Sequence, residues 1–168
     1  GVEVPEIIKQ VRKDMVDIGS CHPAFKGMNE VLQKHDNIYA EDEPEDFERE
    51  RNKQAENVYF IGCVGSYRED EATLATLDLL DRLEVDYTLI DEVCCSGVLE
   101  DVGYQINGDL VRKNLDNIYA TGAQRVITGC PYCFRTFKNK PQYAELREKG
   151  IEIVHMSQFL TDFDLGVK

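Results

Sequence analysis

Apolar side chains change their spacing along the chain near residue 57. Residues 4–18 carry apolar positions three and four apart, a spacing that predicts an amphipathic helix with Pro5 tolerated in its first turn: Val4, Ile7, Ile8, Val11 and Met15. A second helix is expected to start after Pro23 and to bury Phe25, Met28, Val31 and Leu32. We therefore expect residues 1–40 to form a helical segment.

The stretch EDEPEDFERERNKQ, residues 41–54, has almost nothing to bury. Dense charge of this kind is typical of a solvent-exposed segment. We interpret residues 41–56 as an acidic connector, so that residues 57–168 make up the main domain.

From residue 57 onward, short runs of β-branched and aromatic residues alternate with amphipathic stretches. The runs predict buried strands at 57–62, 85–91, 124–129 and 151–155. Helices are predicted at 69–83 and 107–122, and shorter helical stretches follow the third run. Strands that alternate with helices predict an α/β fold with a parallel, four-strand layered sheet and flanking helices.

Composition and charge argue against some classes of function for this protein. A chain of 168 residues can form one domain with its own core and a helical appendage. The net charge of −13 argues against sequence-independent binding to nucleic acid, which needs a basic face. No apolar run approaches the roughly 20 residues of a membrane span, and the opening GVEVPEIIKQ lacks the features of a signal peptide. We therefore expect a cytoplasmic protein with no transmembrane segment, associated with a membrane only through a partner subunit.

Five of the six cysteines follow the ends of predicted strands. Cys63 follows the first strand, Cys94 and Cys95 the second, and Cys130 and Cys133 the third. Because the carboxyl ends of parallel strands meet at one edge of the sheet, where ligands bind in such folds, we expect these five thiols to converge. The sixth cysteine, Cys21, has no partner in this pattern and is interpreted as a lone buried thiol.

The spacing of the thiols favours a cluster of several metal ions over a single ion. Cys130 and Cys133 lie in CPYC, a turn expected to open a helix, where thiolates are stabilised. Adjacent residues such as Cys94 and Cys95 seldom reach one small ion, which disfavours a single zinc, whereas several irons can share them. An iron–sulfur cluster is favoured, and zinc remains the alternative. CPYC also looks like the active loop of thioredoxin-type proteins, although there it follows the first strand.

The order of these cysteines resembles a known family. Together with VYFIGCVGSYRE, TGCPYCFRTFK and EIVHMSQFL, it is similar to the cysteine-rich (CCG) domain of heterodisulfide reductase subunits of the D and B types and of related iron–sulfur oxidoreductases. The resemblance covers residues 57 to about 163. The opening GVEVPEIIKQVRKDMV resembles the tail of a ferredoxin-like module in the same proteins. We therefore expect this chain to be part of a larger redox assembly.

The resemblance implies a cofactor, a reaction and partners. The implied ligands are the five thiols of Cys63, Cys94, Cys95, Cys130 and Cys133, holding a [4Fe-4S] cluster that is cubane or noncubane, with zinc in some relatives. The implied reaction is reduction of a disulfide such as that of coenzymes M and B in methanogenesis. Iron–sulfur subunits of glycolate, lactate or glycerol-phosphate dehydrogenases, and a zinc-stabilised interaction domain, are the alternatives. The implied partners are ferredoxin-like clusters, a second CCG domain and a flavin or cytochrome subunit.

Four further residues are candidates for the surroundings of the cluster. Ser96 stands where the family has a glycine after the cysteine pair, and can donate a hydrogen bond to a cluster sulfur. Arg68 and Arg135 follow Cys63 and Cys133 closely and are candidates to bind an anionic disulfide, with an ordinary surface role as the alternative. His155 follows the fourth strand and either lines the site or caps a helix.

Overall fold

The computed structural model describes residues 2–42, 47 and 49–164. Two helices, α1 (Val4–Asp17) and α2 (Pro23–His35), precede a four-strand sheet. The strands are β1 (Asn57–Phe60), β2 (Tyr87–Thr88), β3 (Arg125–Thr128) and β4 (Glu152–His155). Neighbouring strands are parallel, in the order β2-β1-β3-β4. The predicted fold class, an α/β sheet preceded by a helical segment, is confirmed.

Helices cross between successive strands and cover both faces of the sheet. They are α3 (Cys63–Tyr67), α4 (Asp70–Arg82), α5 (Gly97–Asp101), α6 (Gly108–Ala120), α7 (Pro131–Asn139), α8 (Ala144–Glu148) and α9 (Met156–Phe159), with 3-10 turns at Pro141–Tyr143 and Leu160–Asp162. The predicted helices 69–83 and 107–122 are confirmed to within two residues at each end. Helices α3 and α5 were not predicted, because five residues are too few to show a period.

Successive residues of each strand pack into two separate cores, one on each face of the sheet. Val58, Phe60 and Val126 pack with side chains of α6, α7 and α8 on one face, and Tyr59 and Ile127 pack with α4 and α9 on the other. On the first face the Phe137 ring meets Phe60 and Tyr143 edge-on, with ring centres 4.8 Å and 4.6 Å apart. The sheet is therefore buried on both sides, as the continuous apolar runs indicate.

The second strand is shorter than predicted. Only Tyr87 and Thr88 belong to β2, whereas the prediction covered 85–91. Beyond it, Leu89 forms an isolated parallel bridge with Arg51, and its carbonyl accepts a hydrogen bond from the backbone N–H of Asn52 (2.8 Å). The edge of the sheet is thus continued by a segment that the sequence assigned to the connector.

The acidic connector is only partly exposed. Residues 43–46 and 48 lie outside the described residues. Phe47 is 3% exposed and packs in the same core as Tyr59, while Arg49 pairs with Asp78 (2.9 Å) and Asp81 (3.1 Å) on α4. The interpretation that this stretch has almost nothing to bury is therefore wrong for Phe47, which is a buried member of that core. The domain boundary at residue 56 stays a prediction.

The N-terminal helices contribute little to the core. Of the four α2 side chains predicted to be buried, only Leu32 is, while the other three are half-buried. Helix α1 has no buried residue. It lies over α5, where the Arg12 guanidinium donates a hydrogen bond to the carbonyl of Asp101. None of the described helices combines the length and apolar character that a membrane-spanning helix requires.

Candidate metal centre

The first thiol is placed by the loop that joins β1 to α3. Cys63 is the first residue of α3, and Gly62 before it has a φ of 81°. The Glu92 carboxylate fixes this loop by accepting the backbone N–H groups of Ile61 (2.8 Å) and Gly62 (2.6 Å). A Cβ on Gly62 would lie 3.0 Å from the Cys133 sulfur. Glycine therefore lets the Cys63 loop lie directly against Cys133.

The adjacent pair is held by buried polar side chains. The Asn114 side chain accepts the Val93 N–H (3.0 Å) and donates to the Val93 carbonyl (2.9 Å). The Tyr143 hydroxyl donates to the carbonyl of Cys95 (3.3 Å), and the Cys94 N–H donates to a carbonyl of residue 36 (2.7 Å). Asn114 and Tyr143 are fully buried. Their hydrogen bonds fix the backbone of both cysteines because no water competes for them.

The CPYC turn opens α7, as the sequence predicts. Cys130 is the N-cap residue of α7, and its sulfur accepts the backbone N–H of Cys133 (3.5 Å). The Cys130 N–H donates in turn to the Thr128 hydroxyl (3.2 Å) at the end of β3. Both thiols therefore lie at a helix start, where unpaired N–H groups favour negative charge.

The five thiols form one continuous series. Each thiol shifts the pKa of the next, in the order Cys63, Cys94, Cys95, Cys133 and Cys130. All five line a cavity of about 180 Å³, whose other walls are Ile38, Val64, Val98 and Tyr132. A water molecule takes about 30 Å³ in the liquid, so the cavity has room for a group of several atoms. We call this cavity the thiol cavity.

Within the described residues, no set of three or more His, Cys, Asp or Glu side chains is arranged closely enough to hold a single metal ion. The thiol cavity nevertheless gathers five sulfurs around one space. The ligands of a polynuclear cluster are spread over several metal atoms, so they lie farther apart than the ligands of one ion. The donor set of the thiol cavity therefore fits a cluster of several metal atoms.

The pKa shifts of the five thiols alternate in direction along the series. Hydrogen bonds from Cys94 lower the pKa of Cys63, and those from Cys133 and Cys94 lower the pKa of Cys95 well below its usual value. A hydrogen bond from Cys133 lowers the pKa of Cys130 from 9.0 to about 6, although its burial acts in the opposite direction. The pKa values of Cys94 and Cys133 are raised, since each donates to its neighbours. Three of the five thiols therefore lose their protons more readily than an ordinary thiol, and the thiolate is the form that binds metal.

Ser96 occupies a backbone position that favours glycine. Its φ is 53°, its side chain is fully buried, and its hydroxyl has no hydrogen-bond partner among the described residues. Its backbone N–H donates to the Cys94 sulfur (3.4 Å). At the next position, a Cβ on Gly97 would overlap the Thr136 hydroxyl. The Thr136 hydroxyl donates to the Tyr132 carbonyl (2.9 Å), so the turn after the pair is packed tightly against α7.

Arg135 lies behind one wall of the thiol cavity. Its guanidinium pairs with the Asp101 carboxylate at 2.5 Å and lies 4.6 Å from the centre of the Tyr132 ring. Tyr132 also donates to Asp101 and lines the thiol cavity. Burial alone would raise the pKa of Asp101, but these hydrogen bonds lower it, so Asp101 stays ionised and orients both side chains. Arg135 therefore supports the wall rather than lining the cavity.

Arg68 and His155 lie away from the thiol cavity. Arg68 donates two hydrogen bonds to Glu41 (2.7 Å and 2.9 Å) and stacks on Tyr39 at 3.9 Å from the ring centre. His155 caps α9: its Nδ1 accepts the Ser157 N–H (3.3 Å), and its Nε2 contacts the Gly129 carbonyl at 3.1 Å. Because a carbonyl only accepts, Nε2 carries the proton. His155 thus holds the residue before Cys130 without facing the thiols.

The sequence alone does not identify several residues that shape the site. Asn114 had a readable signal, because it falls on the apolar face of the predicted helix 107–122, where a polar side chain needs a buried partner. Glu92, Thr136 and Tyr143 had none, since their partners are distant in sequence. Cys21 is half-buried rather than buried, and its sulfur contacts the Tyr104 hydroxyl at 3.3 Å.

Residues 57–138 match the family model of the cysteine-rich domain, CCG. This segment contains β1, β2, β3 and all five thiols of the cavity. This part of the chain is therefore similar to the CCG cysteine-rich domain family.

The chain is also similar in sequence to curated proteins. The chain is 32% identical over 115 residues to the D-type subunit of the dihydromethanophenazine:CoB--CoM heterodisulfide reductase of Methanosarcina acetivorans, a match that covers 65% of this chain and 28% of that protein. It is 26% identical over 176 residues to the same protein of Methanosarcina barkeri, with 96% and 42% covered. The chain thus spans less than half the length of these relatives. No solved structure matches it significantly.

Proposed function

We propose that the five thiols hold a [4Fe-4S] cluster, cubane or noncubane, and that the chain is a redox part of an oxidoreductase that reduces a disulfide. The observation that carries this proposal is that five cysteine sulfurs line one cavity. The family match over residues 57–138 and the relatives named as heterodisulfide reductase subunits support it.

The number and spacing of the thiols favour iron over zinc. A structural zinc takes four ligands in a tetrahedron, whereas five sulfurs line this cavity. Cys94 and Cys95 are both members of the series although they are adjacent in the chain. Neighbouring sulfurs can ligate different irons of one cluster, so the pair and the fifth thiol fit a polynuclear guest.

The surroundings of the thiols favour binding of such a cluster. Cys63, Cys95 and Cys130 favour the thiolate form, while Cys94 and Cys133 release protons when metal binds. Ile38, Val98 and Tyr132 exclude water from the sulfurs, and Val64, which is 43% exposed, marks the open side. When bound, the cluster would supply one-electron transfer.

The overall reaction defines the partners. Reduction of a disulfide consumes two electrons and two protons and yields two thiols. We propose that the electrons come from other redox modules of the complex, such as ferredoxin-like clusters, a second CCG domain or a flavin or cytochrome subunit. Any contact with a membrane would then be made by such a partner. The proposed substrate is a small disulfide such as that of coenzymes M and B, the pair in the names of the relatives.

Anaerobic reconstitution with iron and sulfide tests the cofactor. We expect a brown protein with several irons and sulfides per chain and a broad visible absorption band. A colourless protein that retains one zinc per chain would refute the cluster and favour a zinc-stabilised interaction domain.

Paired cysteine variants test the ligands. We expect Cys95→Ala to lose most of the bound iron, because Cys95 is in the middle of the sulfur series. Cys21→Ala is the matched control and should retain it, since Cys21 contacts Tyr104 and lies outside the thiol cavity. Equal iron contents in the two variants would show that the pair does not bind the cluster.

The reaction is tested separately, with a reduced viologen dye as electron donor and the disulfide of coenzymes M and B as acceptor. We expect dye oxidation that depends on the disulfide when the cluster-loaded chain is joined to its redox partners. A loaded complex that instead oxidises glycolate, lactate or glycerol phosphate would leave the cluster in place and replace the proposed reaction.

A further inference from the structure

Helix α1 exposes its apolar side. Val4, Ile7, Ile8, Val11, Met15 and Ile18 are each between 40% and 76% exposed. We call these six residues the α1 stripe. Scattered apolar residues are common on surfaces, but a continuous stripe of them usually marks a contact site.

The orientation of α1 is fixed by contacts on its opposite side. Lys9, Arg12 and Val16, the half-buried residues of α1, share the face toward the domain. Arg12 donates to the Asp101 carbonyl, and the α1 backbone lies so close to Gly103 that a Cβ there would overlap the Arg12 carbonyl oxygen. Gly103 has a φ of 98°, which favours glycine. The helix therefore cannot roll to bury the α1 stripe without losing this packing.

The spacing of the stripe matches a helical partner. Val4, Ile8, Val11, Met15 and Ile18 alternate steps of four and three, the spacing of the apolar seam of a coiled coil. Fourteen residues make a helix of about 21 Å, long enough for two heptads. A second helix with its own apolar seam is the occupant that such a spacing fits.

The charge beside the stripe selects the kind of helix. Exposed residues recur three and four apart along the edge next to Ile7, and four of the five are acidic: Glu3, Glu6, Gln10, Asp14 and Asp17. Lys13 lies beside this edge, four residues before Asp17, and Lys9 reaches Glu6 at 3.0 Å, so two cations oppose four carboxylates along it. This acidic edge repels an anionic membrane surface. It also opposes pairing with a second copy, because each chain carries a net charge of −13.

We propose that the α1 stripe is the docking site for a basic amphipathic helix of a partner subunit. The partner helix would place an apolar seam on the stripe and a row of Lys or Arg residues along the acidic edge. Flanking charges of this kind set partner choice in paired helices. This interface does not depend on the metal bound in the thiol cavity.

Two synthetic peptides provide the first test with the complete chain. Both have Leu at the seam positions of three heptads, and Lys in one and Glu in the other at the flanking positions. Fluorescence anisotropy should show the Lys peptide binding at least tenfold more tightly, with a preference that weakens as salt screens the charges. Hydrogen exchange should slow in residues 4–18 when the Lys peptide is bound.

Substitutions on α1 provide the second test. Val11→Asp should weaken binding of the Lys peptide at least tenfold, whereas the control Gln10→Asp adds the same charge off the seam and should not weaken it. Asp14→Lys combined with Asp17→Lys should weaken binding several-fold. All four positions are exposed, so circular dichroism should be unchanged. Ile8→Ser replaces Val11→Asp if the latter alters the spectrum.

Four results would overturn the proposal. Absence of binding at concentrations that saturate designed helix pairs is the first, and equal binding of the two peptides is the second. The third is stripe-dependent binding to phosphatidylglycerol vesicles in preference to the Lys peptide, which would assign the face to a lipid surface. The fourth is a dimer in sedimentation that Val11→Asp dissociates, which would assign it to a second copy.

Discussion

Helices α1 and α6 have similar lengths and similar apolar periods, yet they are used in opposite ways. Helix α6 buries Leu110, Val111, Asn114, Leu115 and Ile118, whereas α1 buries no residue. Helix α6 connects β2 to β3 and must return across the sheet, which covers its apolar face. Helix α1 precedes the sheet and is under no such constraint. Periodicity therefore identifies a helix, while its place in the chain decides what covers its apolar face.

The largest expected difference between the two helices comes from one substitution made in each. Ile118→Ala should lower the free energy of unfolding by about 2–5 kcal/mol, because Ile118 is fully buried and leaves a cavity. Ile8→Ala, on the α1 stripe, should change it by less than about 0.5 kcal/mol. Urea unfolding of the metal-free chain measures both. Comparable losses would show that α1 is covered within the chain itself.

The polar residue on the buried face of α6 should come next. Asn114→Ala removes hydrogen bonds to both backbone groups of Val93 and should cost about 2–3 kcal/mol. The matched control is Asn117→Ala, on the exposed side, where one hydrogen bond to the Asp91 carbonyl is lost and less than about 1 kcal/mol is expected. Faster alkylation of Cys94 and Cys95 in Asn114→Ala alone would show that Asn114 positions the pair.

The thiol at the start of α7 should react at unusually low pH. The pKa of Cys130 is lowered from 9.0 to about 6, so at pH 7 its thiolate fraction in the metal-free chain exceeds that of an ordinary thiol roughly a hundredfold. Mass spectrometry of iodoacetamide-treated, metal-free chain should show Cys130 alkylation rising through about pH 6.

The same pKa shift has a defined effect on stability. A lowered pKa in the folded chain stabilises the fold at pH values above the ordinary thiol pKa, and this contribution is lost as the pH falls through about 6. Cys130→Ser should therefore flatten the pH dependence of unfolding between about pH 6 and 9. An unchanged profile would contradict the assignment of a thiolate at Cys130.

The smallest expected effect concerns the turn after the cysteine pair. Ser96→Gly should stabilise the chain by about 1 kcal/mol, because it relieves a positive φ and removes a buried hydroxyl that has no partner in the part of the chain that the structure describes. Thermal unfolding of the metal-free chain measures this gain. A loss of stability would indicate that the hydroxyl has a partner in solution.

The sequence predicted the edge of the sheet better than it predicted the surroundings of the site. The convergence of thiols at 63, 94–95, 130 and 133 follows from strand order, which local patterns reveal. The support from Glu92, Thr136 and Tyr143 does not, because it arises only when distant segments pack. The outward side of α1 was equally hidden, since the contact between Arg12 and Gly103 that orients it joins residues far apart in the chain.

The order of strands also sets a sequence of events during synthesis. Strands β1 and β3 are neighbours in the sheet, with Phe60 opposite Thr128, although most of the domain lies between them in the chain. The thiol of Cys63 can therefore contact Cys130 and Cys133 only after β3 and the first turn of α7 have left the ribosome. A nascent chain halted before residue 130 would present three of the five thiols, so a metal group that needs all five thiols could be inserted only after α7 has been translated.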